Sequence, residues 1–193
     1  MPAEKTDLQT RAFRDAEAFR TWLHDEHERS EGLWLKIAKK GSDVRSVTYA
    51  EAVDVALSYG WIDGQKARYD ETWFLQRFTP RRPRSVWSQI NCDKATRLID
   101  EGLMQPAGLD QVERAKADGR WDAAYQGSRT MTVPDDLQAA LDANPAASAA
   151  FAAISRTNRY AFLYRIHEAK RPQTRAARIA TFIDMLAKGE TLH

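Results

Sequence analysis

Residues 72–79, TWFLQRFT, form a run of alternating faces that ends on Pro80 and Pro83. No other stretch restricts the fold as strongly. Its aromatic and β-branched content suits a strand, with Trp73, Leu75, Arg77 and Thr79 on one face and Phe74, Gln76 and Phe78 on the other. Residues 62–69 suit a second strand, and Asp70-Glu71 reads as a two-residue hairpin connection. Asp63-Gly64 is a further turn signal, or a bulge at the start of the first strand. The two prolines remove backbone donors, so the sheet stops and the chain enters a stiff loop. Four arginines fall within eight positions here, Arg77, Arg81, Arg82 and Arg84, and no acidic residue lies between Glu71 and Asp93. Unpaired surface charge is a poor stability device. A pre-organised guanidinium, by contrast, loses little entropy on gripping a carboxylate or phosphate. Ser85, Ser88 and Asn91 can each cap the helix that follows, and a helix start beside arginines favours an anion. Trp61, Trp73 and Trp87 read first as core residues, because large aromatics are held by burial. Trp61 and Trp87 also stand where they would line a Trp/Arg cleft.

The flanking sequence adds helices around this sheet. Residues 1–11 are polar and read as a loose arm. Asp15 is an N-cap, and Phe13 with Phe19 has the spacing of a hydrophobic staple. The helix runs to about Glu28. Residues 32–39 alternate as a strand, with Leu33, Leu35 and Ile37 pointing one way. Thr48 and Glu51 form a capping box for a helix over 49–58 that buries Val53, Ala56 and Leu57. Further helices are expected over 91–100 and 106–118, then four more across 134–188, opened by Pro134, Pro145, Asn158 and Pro172. The expected architecture is α+β: a small antiparallel sheet from 32–39, 62–69 and 72–79 packed by helices, followed by a helical C-terminal lobe. The expected domains are 12–128 and 129–190.

A chain of 193 residues with 43% hydrophobic and 29% charged residues is an ordinary globular protein. One cysteine, Cys92, excludes an internal disulfide and favours a reducing compartment. The first ten residues lack the apolar core of a secretory signal, and no long apolar run is present to insert in a membrane. A cytoplasmic location is the expectation. The net charge of +2 does not point to nucleic acid. The charge is uneven, however: net +3 over 62–91 and net +6 over 156–178, with acidic segments around them. The two basic segments form either two patches or one. In the single-site reading, Arg81 and Arg82 meet Arg159, Lys170 and Arg175 around one anion.

GWIDG at 60–64, RFTPRRPRSVWSQIN at 77–91 and MQPAGL at 104–109 resemble the YdeI/OmpD-associated family, the bacteriocin-protection proteins. VPDDLQAAL at 133–141 and AKRPQTRAARI at 169–179 resemble that family's C-terminal OmdA module. The resemblance spans about Phe19 to Gly189. It implies a setting of resistance to bacteriocins and cationic antimicrobial peptides and a link to an outer-membrane porin, without a catalytic mechanism. Ser58-Tyr59 stands where Cys-Phe is common in the family, and Arg165 where Trp is common. His27 falls on a position that is commonly His.

Candidate chemistry is sparse. His24 and His27 share a helix at metal-ligand spacing but have no further cluster to complete a site, so no metal is expected. Asp63 is the best single acid, as a base, an orienting group or a turn residue. His27 is the other acid–base candidate. Cys92 near a helix start reads as buried and inert. No GxSxG, Gly-rich phosphate loop, CxxC or HExxH occurs, and no cofactor is implied. The leading expectation is a non-catalytic stress- or peptide-resistance protein that binds an anionic small molecule or an acidic protein surface. Its site residues would be Trp61, Asp63, Arg77, Arg81, Arg82, Arg84, Ser85, Trp87, Asn91, Arg159, Lys170 and Arg175. An enzyme acting on an anionic substrate through Asp63 or His27 is the second reading, and a nucleic-acid binder the third. Oligomeric state is not legible.

Overall fold

The computed structural model describes residues 8–192. The chain divides into two compact units, Met1–Ala124 and Tyr125–His193. The architecture is α+β, with the sheet in the first unit and helices alone in the second.

The first unit begins with β1 (Thr10–Ala12), α1 (Ala16–Glu26) and β2 (Leu33–Ala38). It continues through α2 (Tyr49–Ser58), β3 (Trp61–Arg68), β4 (Trp73–Pro80), α3 (Gln89–Asp100) and α4 (Pro106–Ala117). The sheet order is β1-β2-β4-β3. β4 therefore lies between β2 and β3, antiparallel to both. β1 is a correction to the sequence reading. Residues 10 and 11 were expected in a loose arm; with Ala12 they pair parallel with β2, Thr10 opposite Trp34 and Ala12 opposite Lys36. Residues 1–7 of that arm lie outside the described residues.

Local chemistry sets the helix ends. Asp15 accepts from Ala18 N at 2.9 Å, and Phe13 meets Phe19 at 5.1 Å between ring centroids, closing the staple. Thr48 and Glu51 form the expected capping box. Gly60 turns the chain from α2 into β3 at φ +73, where a side chain would be strained and would meet Ala107 O at 2.8 Å. Gly108 matters for a different reason. A Cβ there would lie 2.4 Å from Ser58 O, so the missing side chain lets α4 cross close against the end of α2.

The core lies on one face of the sheet. Leu33, Leu35 and Ile37 from β2, Phe78 from β4, and Phe19, Trp22, Leu23, Val53, Ala56 and Leu57 from α1 and α2 are buried together. Trp73 is a second correction. It sits on the opposite face, half-buried, with the Lys36 ammonium 5.0 Å from its ring centre. The β3–β4 connection is a third. Four residues, 69–72, separate the strands, and Asp70 makes the turn by accepting from Thr72 N and Trp73 N at 2.8 and 2.7 Å. The register shift between Asp63 and Lys66 is the bulge that Asp63-Gly64 signals.

The second unit comprises α5 (Asp135–Asp142), α6 (Pro145–Ala153), α7 (Arg156–Glu168) and α8 (Pro172–Ala187). Pro134 is the N-cap of α5 rather than its first helical residue. Asn144 and Ser155 cap α6 and α7 through their side chains. The helices enclose a separate core of Leu137, Leu141, Phe151, Phe162, Leu163, Ile166, Ile179, Phe182 and Leu186. On α8 the buried face is Ile179, Phe182 and Leu186, with Ile183 at its edge. Among the described residues, no helix is long and apolar enough to cross a membrane.

Candidate functional site: the arginine loop between β4 and α3

The loop from Arg81 to Trp87 is held from three sides. Arg81 N donates to Gly60 O at 3.0 Å, extending the β3–β4 pairing by one step. Arg82 N donates to Ser85 Oγ at 3.0 Å and Ser85 N to Arg82 O at 2.9 Å, which closes a turn around Pro83. Arg120, from the chain after α4, donates from Nη1 to Ser85 O at 2.8 Å and is itself fixed by Asp118 at 2.7 Å. Ser88 then caps α3, accepting from Asn91 N at 3.2 Å. Of the three capping candidates in the sequence, Ser88 is the one used.

The arginines in this loop divide into two kinds. Arg81 is only 6% exposed. Its guanidinium lies 3.6 Å from the centre of the Trp87 ring and donates to Val86 O at 3.3 Å. Trp87, 2% exposed, packs in turn on Trp121 at 5.0 Å. Arg81 and Trp87 thus support the loop from inside; they were expected at the ligand surface. Arg82 and Arg84 point outward, exposed, and neither forms an ion pair among the described residues. Val86 and Ile90 flank them, 53% and 55% exposed. The result is a rigid patch with two cations and two bare aliphatic side chains. Cys92 is buried below, its thiol pushed up to about 11 by that burial. The thiolate needed for nucleophilic work is therefore scarce at neutral pH.

Within the first unit, Trp61, Asp63, Arg77 and Asn91 stand on β3, β4 and α3 rather than in the loop. Trp61 is a core residue, 1% exposed, edge-on to Trp22 at 5.8 Å, with Nε1 donating to His27 O at 3.3 Å. This corrects the reading of Trp61 as a cleft wall. Arg77 lies half-buried opposite Trp34 on the sheet face away from the core. Asp63, at the bulge, accepts from Tyr49 OH at 2.7 Å. His27 donates from Nδ1 to Leu23 O at 2.9 Å, its Nε2 lies 3.9 Å from the Glu28 carboxylate, and its ring lies 5.1 Å from Tyr59. Burial raises the Tyr59 hydroxyl above its ordinary range, so Tyr59 is a poor base. Asn91 is half-buried in the first turn of α3.

In the second unit, Arg159 donates to Ala152 O at 2.9 Å and lies 5.3 Å over Phe151, so it braces α6. Lys170 is exposed. Arg175 is engaged by both oxygens of Asp136 at 2.5 and 2.8 Å and also donates to Ile166 O. The hydrogen bond from Arg175 holds the Asp136 carboxyl below the usual range. Arg175 was expected to meet an anion, and Asp136 already neutralises it. No group of three or more His, Cys, Asp and Glu side chains is placed to hold a metal among the described residues.

Sequence reasoning missed Val86, Ile90 and Arg120. The two aliphatic residues carried a signal, since they interrupt a polar loop and cap. Arg120 carried none, because its role depends on where the end of α4 delivers it.

Two family models match the chain. A domain of unknown function (DUF8412) matches residues 11–111, and the bacteriocin-protection, YdeI or OmpD-associated family (OmdA) matches residues 130–189. The chain belongs to the DUF8412 family, whose model covers more than half of it, and residues 130–189 match the OmdA family. The two matches follow the sheet-bearing and helical parts in turn, so the arginine loop lies in the domain of unknown function and Arg159, Lys170 and Arg175 in the OmdA module. No curated protein and no solved structure matches the chain. The match over residues 130–189 is to a family described by bacteriocin protection.

Proposed function

We propose that this protein, whose residues 130–189 match the OmdA family, acts in bacteriocin protection as a non-catalytic, cytoplasmic binding protein, and that the loop between β4 and α3 grips an acidic protein surface. One observation carries this reading. Arg82 and Arg84 are held out on a turn that Ser85, Arg120 and the Arg81–Trp87 stack make rigid, and no carboxylate among the described residues neutralises them. Pre-organisation of this kind lowers the entropy lost on binding. Val86 and Ile90 favour a macromolecular partner over a small anion, because exposed aliphatic area beside cations is what a protein surface can cover. The enzymatic reading finds less support. The Asp63 carboxylate is occupied by Tyr49, and His27 is tethered through Leu23.

The test is calorimetric titration of the full chain with an acidic, aliphatic-rich peptide library at two salt concentrations. Each charge-assisted contact contributes about 1.5–3 kcal/mol. The Arg82→Glu/Arg84→Glu variant should therefore lose at least about 100-fold in affinity with an unchanged far-UV spectrum. Binding that survives the double reversal would refute the proposal.

A further inference from the structure

The helical unit carries a groove that the arginine loop does not explain. It runs between α5 and α8, encloses about 740 Å³ and is walled mainly by alanine and isoleucine. On α8 its wall is formed by Arg175, Ala176, Ile179, Ala180, Ile183 and Asp184. Ala176 and Ala180 are exposed there.

We propose that this groove is the contact between two copies of the chain, α8 lying antiparallel on α8 of the partner subunit. The order of residues on α8 is self-complementary about the point between Ile179 and Ala180. Reversing the helix there sets Ile179 against Ala180 of the partner subunit, Ala176 against the partner's Ile183, and Arg175 against the partner's Asp184. Ile179 is 7% exposed and seated in the helical core, so it meets the partner only at its edge; the more open pairs set Ile183 over an alanine and a cation over an anion, and a twofold axis makes each of them twice. Alanines at the crossing allow the close helix approach that ridge-into-groove packing requires. The rim charges also balance. Asp136 holds Arg175, and Lys188 lies 2.7 Å from Asp184. Reversal builds the row Asp136, Arg175, the partner's Asp184, the partner's Lys188, which alternates in sign and is neutral. A parallel in-register pair would instead set Arg175 beside the partner's Arg175.

The experiment is sedimentation equilibrium on the full chain, with two substitutions at exposed groove positions and one cross-link. The wild type should dimerise with a Kd of roughly 1–100 μM, as a small helical contact does. Asp184→Lys sets like charges opposite each other and should weaken the dimer at least about 10-fold. Ala180→Glu should do the same or more; Asp184→Lys, on the rim, is the informative variant if Ala180→Glu fails to fold. The Ala180→Cys variant, with its new thiol at the twofold axis, should cross-link under mild oxidation. Buried Cys92 gives the wild type no such product. A chain that stays monomeric to about 1 mM overturns the proposal, as does a dimer that Asp184→Lys leaves unchanged. Either result would assign the groove to another occupant, such as an amphipathic helix of a different protein.

Discussion

Arg81→Ala should behave as a core mutation, although the residue belongs to a basic loop. The guanidinium is stacked on Trp87 at 3.6 Å and 6% exposed. A desolvated contact of this type contributes about 2 kcal/mol. The bond from the charged Nη1 to Val86 O adds about 1.5–3 kcal/mol. Relief of the cation's desolvation works the other way and recovers on the order of 1–2 kcal/mol. The net expected loss is about 3 kcal/mol. Urea unfolding followed by tryptophan fluorescence is the right assay, because all six tryptophans lie in Met1–Ala124. With a slope of about 1.5 kcal/mol/M, the midpoint should fall by roughly 2 M. Arg81→Lys keeps the charge but loses the planar stack and should recover less than half of the loss. Arg82→Ala, on the exposed side of the same turn, should change stability by no more than about 0.5 kcal/mol. If Arg81→Ala cost less than about 1 kcal/mol, the division of these arginines into supporting and contacting kinds would be wrong.

Trp61→Ala should cost about 3–5 kcal/mol, whereas Trp73→Ala, half-buried beneath Lys36, should cost clearly less in the same urea assay. The Cys92 thiol, pushed up to about 11, should react with an aromatic disulfide reagent at pH 8 at least about 100-fold more slowly than an unfolded control, and denaturant should remove the difference. Asp136 should contribute to acid sensitivity. Its folded carboxyl titrates below the unfolded value of about 3.9, so the stabilisation is present above that pH and is lost as pH falls through the folded pKa. The group is nearly half exposed, so the effect should stay under about 1 kcal/mol, and Asp136→Asn should flatten the urea midpoint measured by far-UV circular dichroism between pH 5 and 2.

The parts of the fold legible in the sequence are those written by local chemistry. Asp15, Thr48 with Glu51, and Ser88 sit where a cap is required, and the alternation of Leu33, Leu35 and Ile37 names the buried face of β2. What stayed hidden depends on distant partners. β1 is three residues long, too short for a periodic signal, and exists because β2 has a free edge. Alternation splits β4 into two faces but does not say which one α1 and α2 will cover, so Trp73 was assigned to the wrong side. The site was legible as a basic loop and no further. Whether a guanidinium in that loop faces water or Trp87 is decided by packing that includes Trp121, some 34 positions beyond Trp87. Arg175 finds its carboxylate 39 residues away.

The short strand β1 has a consequence for how the chain can be trimmed and tagged. β2, with the sequence LWLKIA, is rich in strand-forming residues, and β1 occupies the row of donors and acceptors along its outer edge. A chain cut before Phe13 would retain every buried side chain of the core yet present that row to solvent. Such an edge recruits the same edge of another molecule. Loss of these three residues should therefore appear less as a lower melting temperature than as poor recovery at high concentration, cured by dilution or by a lysine placed on β2.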